Sequence, residues 1–141
     1  MKTRIIAAVA LLLSGGDDST ATIAPEVSNN DSRVAFLKGF GWEVTTSPVE
    51  SGQVKIPQNS SEVFDRYNAL QKKAGFDLED YRGKTVKKYT YKILNYPSAE
   101  KDDIIKADLL VLDGRVIGGD IYSPRLDGFI MGLEARRNVE K

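Results

Sequence analysis

Aspartate and glutamate supply most of the chemistry open to this chain of 141 residues, which has 20 of them and neither histidine nor cysteine. Two carboxylates at a working separation can serve as general acid and general base, or as the acid and nucleophile of a sugar-cleaving enzyme. Asp102, Asp103, Asp108, Asp113 and Asp120 crowd one stretch and are the candidates for such a pair. The missing residues close other routes. A zinc centre of cysteines and histidines, a thiol nucleophile and a Ser-His-Asp triad all need side chains that are absent. A disulfide framework and c-type haem attachment fall with them. Asp77, Glu79 and Asp80 place three oxygen donors in one loop, but not in the order of an EF-hand. No catalytic residue, metal ligand or cofactor is assigned on this basis.

Gly118-Gly119-Asp120 is the most unusual local pattern. Adjacent glycines weaken a strand, so their presence implies that something needs the space. Either the fold needs it, through a bulge or a closely packed helix, or a peptide or sugar lies against bare backbone with Asp120 as the polar contact. The pattern is no dinucleotide fingerprint, because the G-x-G-x-x-G spacing and the following helix are missing. Tyr122 and Trp42 are the aromatic candidates for the same ligand or partner contact, although a tryptophan buries so much area that Trp42 also reads as a core plug. Lys84, Lys87, Lys88 and Lys92 surround Tyr89 and Tyr91 and raise the possibility of a stacking platform for single-stranded nucleic acid. Alternation opposes it by sending the tyrosines and Lys88 to opposite faces. The balance of 20 basic and 20 acidic side chains also denies the chain the broad basic face that nucleic acid needs.

The elements that position these residues follow from periodicity. Asn30 or Asp31 caps a first helix through Phe40, with Val34, Leu37 and Phe40 on one face and Gly39 and Gly41 ending it. Trp42-Glu43-Val44 opens an extended segment that continues through Val54-Lys55-Ile56 to Pro57. A second helix is predicted over Ser60 to Ala74, with Asn59 as N-cap, Glu62 at capping-box spacing and Gly75 at the C′ position. Val63, Phe64, Tyr67, Leu70 and Ala74 form its stripe, and Asn68, out of phase with them, faces solvent. Tyr89, Tyr91 and Ile93 then alternate with Lys88, Thr90 and Lys92 in a strand with one wet face.

Ile104 to Leu112 and Arg115 to Tyr122 are strands joined by Asp113-Gly114, the sequence of a two-residue hairpin turn. With Leu112 opposite Arg115 and the ladder unbroken, Leu110, Leu112, Ile117 and Ile121 share one face. Leu109, Val111, Val116 and Tyr122 share the other. Both faces are apolar, which puts the hairpin in mid-sheet or sets its second face against another surface. The same register sends Asp108 and Asp120 to opposite faces, where they cannot share a substrate. Asp102-Asp103 reads as solvated loop and Asp113 belongs to its turn. Phe129 to Leu133 docks as a short final element. The predicted fold class is α+β, in the order α-β-α-β-β-β, with a mainly antiparallel sheet of about four strands and two helices.

The amino terminus reads as an export signal. Lys2 and Arg4 precede nine apolar residues, Ile5 to Leu13, and the small residues Ser14-Gly15-Gly16 follow. Nine residues make a helix of roughly 14 Å, about half the span of a bilayer core. Leu12-Leu13-Ser14-Gly15 before Asp17-Asp18 resembles a bacterial lipoprotein signal in which the lipid-accepting cysteine position is taken by Gly16. Glycine has nothing to acylate, so either a cysteine has been replaced or the segment is cut after Gly16. The expected organisation is export signal 1–16, flexible tether 17–30, one folded domain 31–133 and charged tail 134–141.

Several stretches resemble a bacterial family known as domain of unknown function 4830. They are Gly41-Trp42-Glu43-Val44, Ile56-Pro57, Tyr67-Asn68-Ala69-Leu70-Gln71, Gly75-Phe76-Asp77-Leu78 and Tyr81-Arg82-Gly83-Lys84. Tyr89-Thr90-Tyr91, Asn95-Tyr96, Gly118-Gly119-Asp120 and Gly128-Phe129 complete the set, which covers about residues 33–133 in order. The resemblance implies bacterial envelope proteins and no established activity. Members tend to carry cysteine and histidine late in the domain, where this chain has Tyr122 and Ile130-Met131. The expectation is an exported envelope or extracellular domain, more a binding module for an envelope protein or peptide than an enzyme. It takes that partner by strand addition at a sheet edge or by docking on the second hairpin face. The rival is a carboxylate-based enzyme, or a small-ligand sensor, acting on cell-wall material. Neither nucleic acid nor a membrane contact beyond the amino-terminal signal is expected.

Overall fold

Residues 25–97 and 104–136 are described by the computed structural model. The export segment 1–16, Asp102-Asp103 and residues 137–141 lie outside the described residues. Helix α1 (Asn30–Gly39) is capped by Asn29, one residue before the first predicted cap, Asn30. Asn29 Oδ1 accepts the Ser32 amide at 2.8 Å while Ser32 Oγ accepts the Asn29 amide at 3.1 Å, a closed capping box. Gly41, at φ 96°, ends it in the left-handed region that glycine enters without strain.

Helix α2 (Glu62–Lys73) is capped by Ser61, whose hydroxyl accepts the Phe64 amide at 3.0 Å, and not by Asn59. Three candidate N-caps, Asn59, Ser60 and Ser61, stand in a row there, and the one that satisfies a first-turn amide defines the start. Gly75, at φ 94°, closes the helix as its position predicted. A 3₁₀ turn (Leu78–Tyr81) follows.

The sheet has five strands where about four were expected: β1 (Glu50–Lys55), β2 (Thr85–Lys92), β3 (Lys106–Leu112), β4 (Arg115–Tyr122) and β5 (Ile130–Met131). They lie in chain order, each antiparallel to the next, so the architecture is an α+β meander. The extra strand is the short apolar element expected near Phe129. Asp113 (φ 52°) and Gly114 (φ 76°) make the predicted tight turn between β3 and β4.

Beyond the turn the ladder is broken. Leu112 faces Arg115 and Val111 faces Val116, but Leu110 faces Gly118, so Ile117 is an extra residue in β4. This β-bulge reverses the face of everything after it. Ile121 joins Leu109, Val111 and Val116 in the core under α1, Trp42 and Leu133. Tyr122 comes to the face of Leu110 and Leu112. The expected assignments of Ile121 and Tyr122 are therefore exchanged.

Each face of the sheet buries its own cluster. Leu37 of α1, Trp42 and Leu133 cover one, over Tyr91, Ala107, Leu109, Val116 and Ile121. Phe64 of α2, with Ile56 and Leu78, covers Val86, Leu110 and Ile117 on the other. The second hairpin face is thus covered by the chain's own helix. The expected tether also ends sooner than residue 30. Val27 donates to Gly114 O at 2.7 Å, Pro25 O accepts from Val116 at 2.9 Å, and Val27 is buried, so packed chain reaches back to residue 25.

Candidate functional site

Because Ile117 reverses the alternation, Asp120 comes round to the face of Asp108, directly opposite it on the neighbouring strand. An unbroken ladder had placed them on opposite faces. Cross-strand neighbours stand with Cβ atoms about 5 Å apart, and here the two carboxyl groups lie close enough for each to act on the other's proton affinity. Both are buried, Asp108 to 7 % exposure and Asp120 to 3 %. Tyr67 of α2 donates its hydroxyl to Asp120 Oδ2 at 2.6 Å. Thr90 of β2 donates to Asp108 Oδ1. Asp120 Oδ1 is buried and receives no hydrogen bond.

Burial, followed by the charge of Asp108, pushes the Asp120 carboxyl up to about 7. Burial raises that of Asp108 as well, against the pull of Thr90 and Lys88. The Tyr67 hydroxyl is driven well above its ordinary value by burial and then by Asp120. Two adjacent carboxylates cannot both ionise cheaply in such a place. The rim is wetter. Lys106 Nζ binds Glu50 Oε2 at 2.9 Å, which raises the lysine and lowers the glutamate. Lys88 lies close enough to act on Asp108, Asp120 and Glu50.

The contact residues expected from sequence are dispersed. A Cβ on Gly118 would stand 2.7 Å from Gln71 Oε1 and 3.3 Å from Leu78 Cδ2. One on Gly119 would strike Asp108 O and come within 2.9 Å of Leu133 Cδ1. The space left by the glycines is filled from within. Gln71 Nε2 donates to Gly119 O at 2.8 Å and Gly119 donates back to Gln71 Oε1 at 2.9 Å. Trp42 is fully enclosed in the other core, giving its Nε1 proton to Leu133 O at 2.8 Å and stacking on Tyr96. Neither Trp42 nor the backbone of Gly119 presents a surface to a ligand. Tyr122 is half-buried and shares the Asp120 face, where burial and then Asp108 raise its hydroxyl.

Tyr67, Gln71 and Thr90 were missed as site residues. The i, i+4 spacing of Tyr67 and Gln71 was a usable signal, because it sets two polar groups in line on one side of α2. Asn68 corrects a further expectation. It is buried and not solvent-facing, donating to Asp77 Oδ1 at 2.9 Å and accepting from the Leu78 amide at 2.7 Å. It ties the 3₁₀ turn to α2. Asp77 and Glu79, once possible calcium donors, are engaged there, Asp77 with Asn68 and the Glu79 amide, Glu79 with Arg82 at 2.8 Å. Among the described residues no group of three or more acidic side chains could hold a metal ion. No helix among them is long and apolar enough to cross a membrane.

The family described as Domain of unknown function (DUF4830) matches residues 36–121, from the middle of α1 to the end of β4. No curated protein and no solved structure matches the chain significantly.

Proposed function

We propose that this chain, which belongs to the DUF4830 family, is an exported bacterial envelope module that binds a protein partner by taking an extended peptide onto the outer edge of β1. The export part rests on the charged start, apolar run and small residues of positions 1–16. The observation that carries the binding part is the state of β1. It pairs with β2 alone, and all its residues except half-buried Val54 are exposed. Ile56 donates to Lys84 O at 2.9 Å, and directly bonded pairs alternate along an antiparallel ladder. Ser51, Gln53 and Lys55 therefore turn their amides and carbonyls outward.

Charges stand only at the two ends of β1, Glu50 and Lys55, and the strand has no proline to blunt it. Main-chain pairing supplies affinity in this mode, and alternate side chains supply selectivity. Proline at position 53 removes one outward donor while leaving the β1–β2 ladder intact.

The test is a crosslinking pull-down from bacterial envelope extract, read by mass spectrometry, with the wild-type chain and Gln53→Pro compared side by side. A partner held by the wild type should be lost from a variant whose melting temperature is little changed. Binding should also slow hydrogen exchange at the Ser51, Gln53 and Lys55 amides. An unchanged partner on the proline variant, or an empty pull-down from folded wild type, would sink the edge-binding reading. The carboxylate pair favours a catalytic reading in one respect, its elevated proton affinity. Both groups, however, are buried beneath α2, which leaves a sugar no approach to them.

A further inference from the structure

The charges around Asp108 and Asp120 do not balance. Tyr67 faces the pair from α2, Lys88 and Thr90 from β2, Glu50 from β1, Lys106 from β3 and Tyr122 from β4. Lys106 is already paired with Glu50. That leaves Lys88 as the cation acting on both buried carboxylates. The β3–β4 ladder fixes the two Cα atoms opposite one another, so the carboxyl groups cannot separate by moving the strands. Asp120 Oδ1 is buried without a donor, and Asp108 stands directly opposite on the paired strand. A proton between the two groups removes one charge and supplies the missing hydrogen bond in a single step.

We propose that Asp108 and Asp120 share one proton and that this proton is a latch, through which ambient acidity sets how firmly α2 is seated on β4. The link to α2 is direct. Tyr67 holds Asp120 and, one helical turn later, Gln71 clasps both backbone groups of Gly119. When the proton leaves, two negative charges face each other beneath α2. Water must then reach Asp120 to solvate the new charge, and the sheet below is held by its ladders. The cover that yields is α2.

The sign follows from linkage. Asp120 holds its proton in the folded chain up to about pH 7, whereas the unfolded carboxyl, at 3.8, has lost it. The native state binds the extra proton, so stability is greatest at the acid end of that window and is lost as pH rises through it, levelling above pH 7. The test uses the full chain. Denaturant titrations of wild type between pH 5 and 7 should show the folding equilibrium constant falling about tenfold per pH unit. Asp120→Asn keeps an acceptor for Tyr67 and a donor for Asp108, and should abolish the slope. Exchange of the Gly119 amide, corrected for intrinsic rate, should accelerate about tenfold more in wild type than in Asp120→Asn between pH 6 and 8. A wild-type stability flat over pH 5–7 would overturn the proposal, as would a slope that survives the substitution. If Asp120→Asn does not fold, Asp108→Asn applies the same test from the other side of the pair.

Discussion

Gln71 shows how much one side chain can carry. It is fully buried, and its amide reproduces the donor and acceptor of a strand residue against Gly119. That role exists because β5 covers β4 only at Ile121 and Tyr122. Gln71→Leu keeps similar bulk but leaves a buried N–H and a buried carbonyl without partners. The expected cost is about 2–6 kcal/mol, at 1–3 for each of the two orphaned groups, to be read from urea unfolding. A loss below about 0.5 kcal/mol, the range of ordinary surface changes, would mean that water replaces the amide. The need for space at Gly118-Gly119 was legible from two glycines in a strand. What fills it was not, because Gln71 lies 48 positions away in sequence. The Asp108–Asp120 contact was hidden for a related reason. Each aspartate looked solitary until the register between their strands was known.

At the scale of elements, local chemistry decided most starts and stops. Both helices end at glycines with positive φ, and the β3–β4 turn forms where Asp-Gly stands. The caps were less certain to read, because neighbouring polar residues compete for the same amides. Ser61→Ala is expected to lower stability by about 1 kcal/mol, the usual worth of an N-cap. Asn59→Ala should change it by less than about 0.5 kcal/mol. Thermal denaturation of the two variants separates them, and the reverse ranking would restore the capping box that begins at Asn59. The bulge at Ile117 is the element-scale feature with the widest reach. The paired glycines offered a bulge as one reading, but nothing placed it at Ile117, since an unbroken register also buries apolar groups on both faces. It forms where Gly118 must pass beneath Gln71 and Leu78. Its consequence is the joining of Asp120 to Asp108 on one face.

Over the whole molecule, opposing titrations shape stability. Glu50, Asp77 and Glu79 are held below their usual range, chiefly by hydrogen bonds from Lys106, Asn68 and Arg82 respectively. Depressed carboxyls contribute stability above their unfolded values, and it is lost as pH falls through the folded ones. Asp120 works in the other direction, losing its contribution as pH rises towards about 7. The melting temperature should therefore peak near about pH 5, and a calorimetric series from pH 3 to 8 would show it. A maximum at pH 7 or above would contradict the balance. The amino-acid sequence by itself determined the α+β class, the two helices and the hairpin turn, because each depends on contacts within a few residues, whereas the face of β2 expected to be wet carries buried Val86 and Thr90 beneath α2. It also carried the family pattern that spans residues 36–121. Tertiary structure alone decided that α2 closes the second hairpin face, that Val27 belongs to the core, and that two aspartates meet across a bulge. Those outcomes depend on which distant segments share a face, and a single inserted residue is enough to reverse that for every position after it.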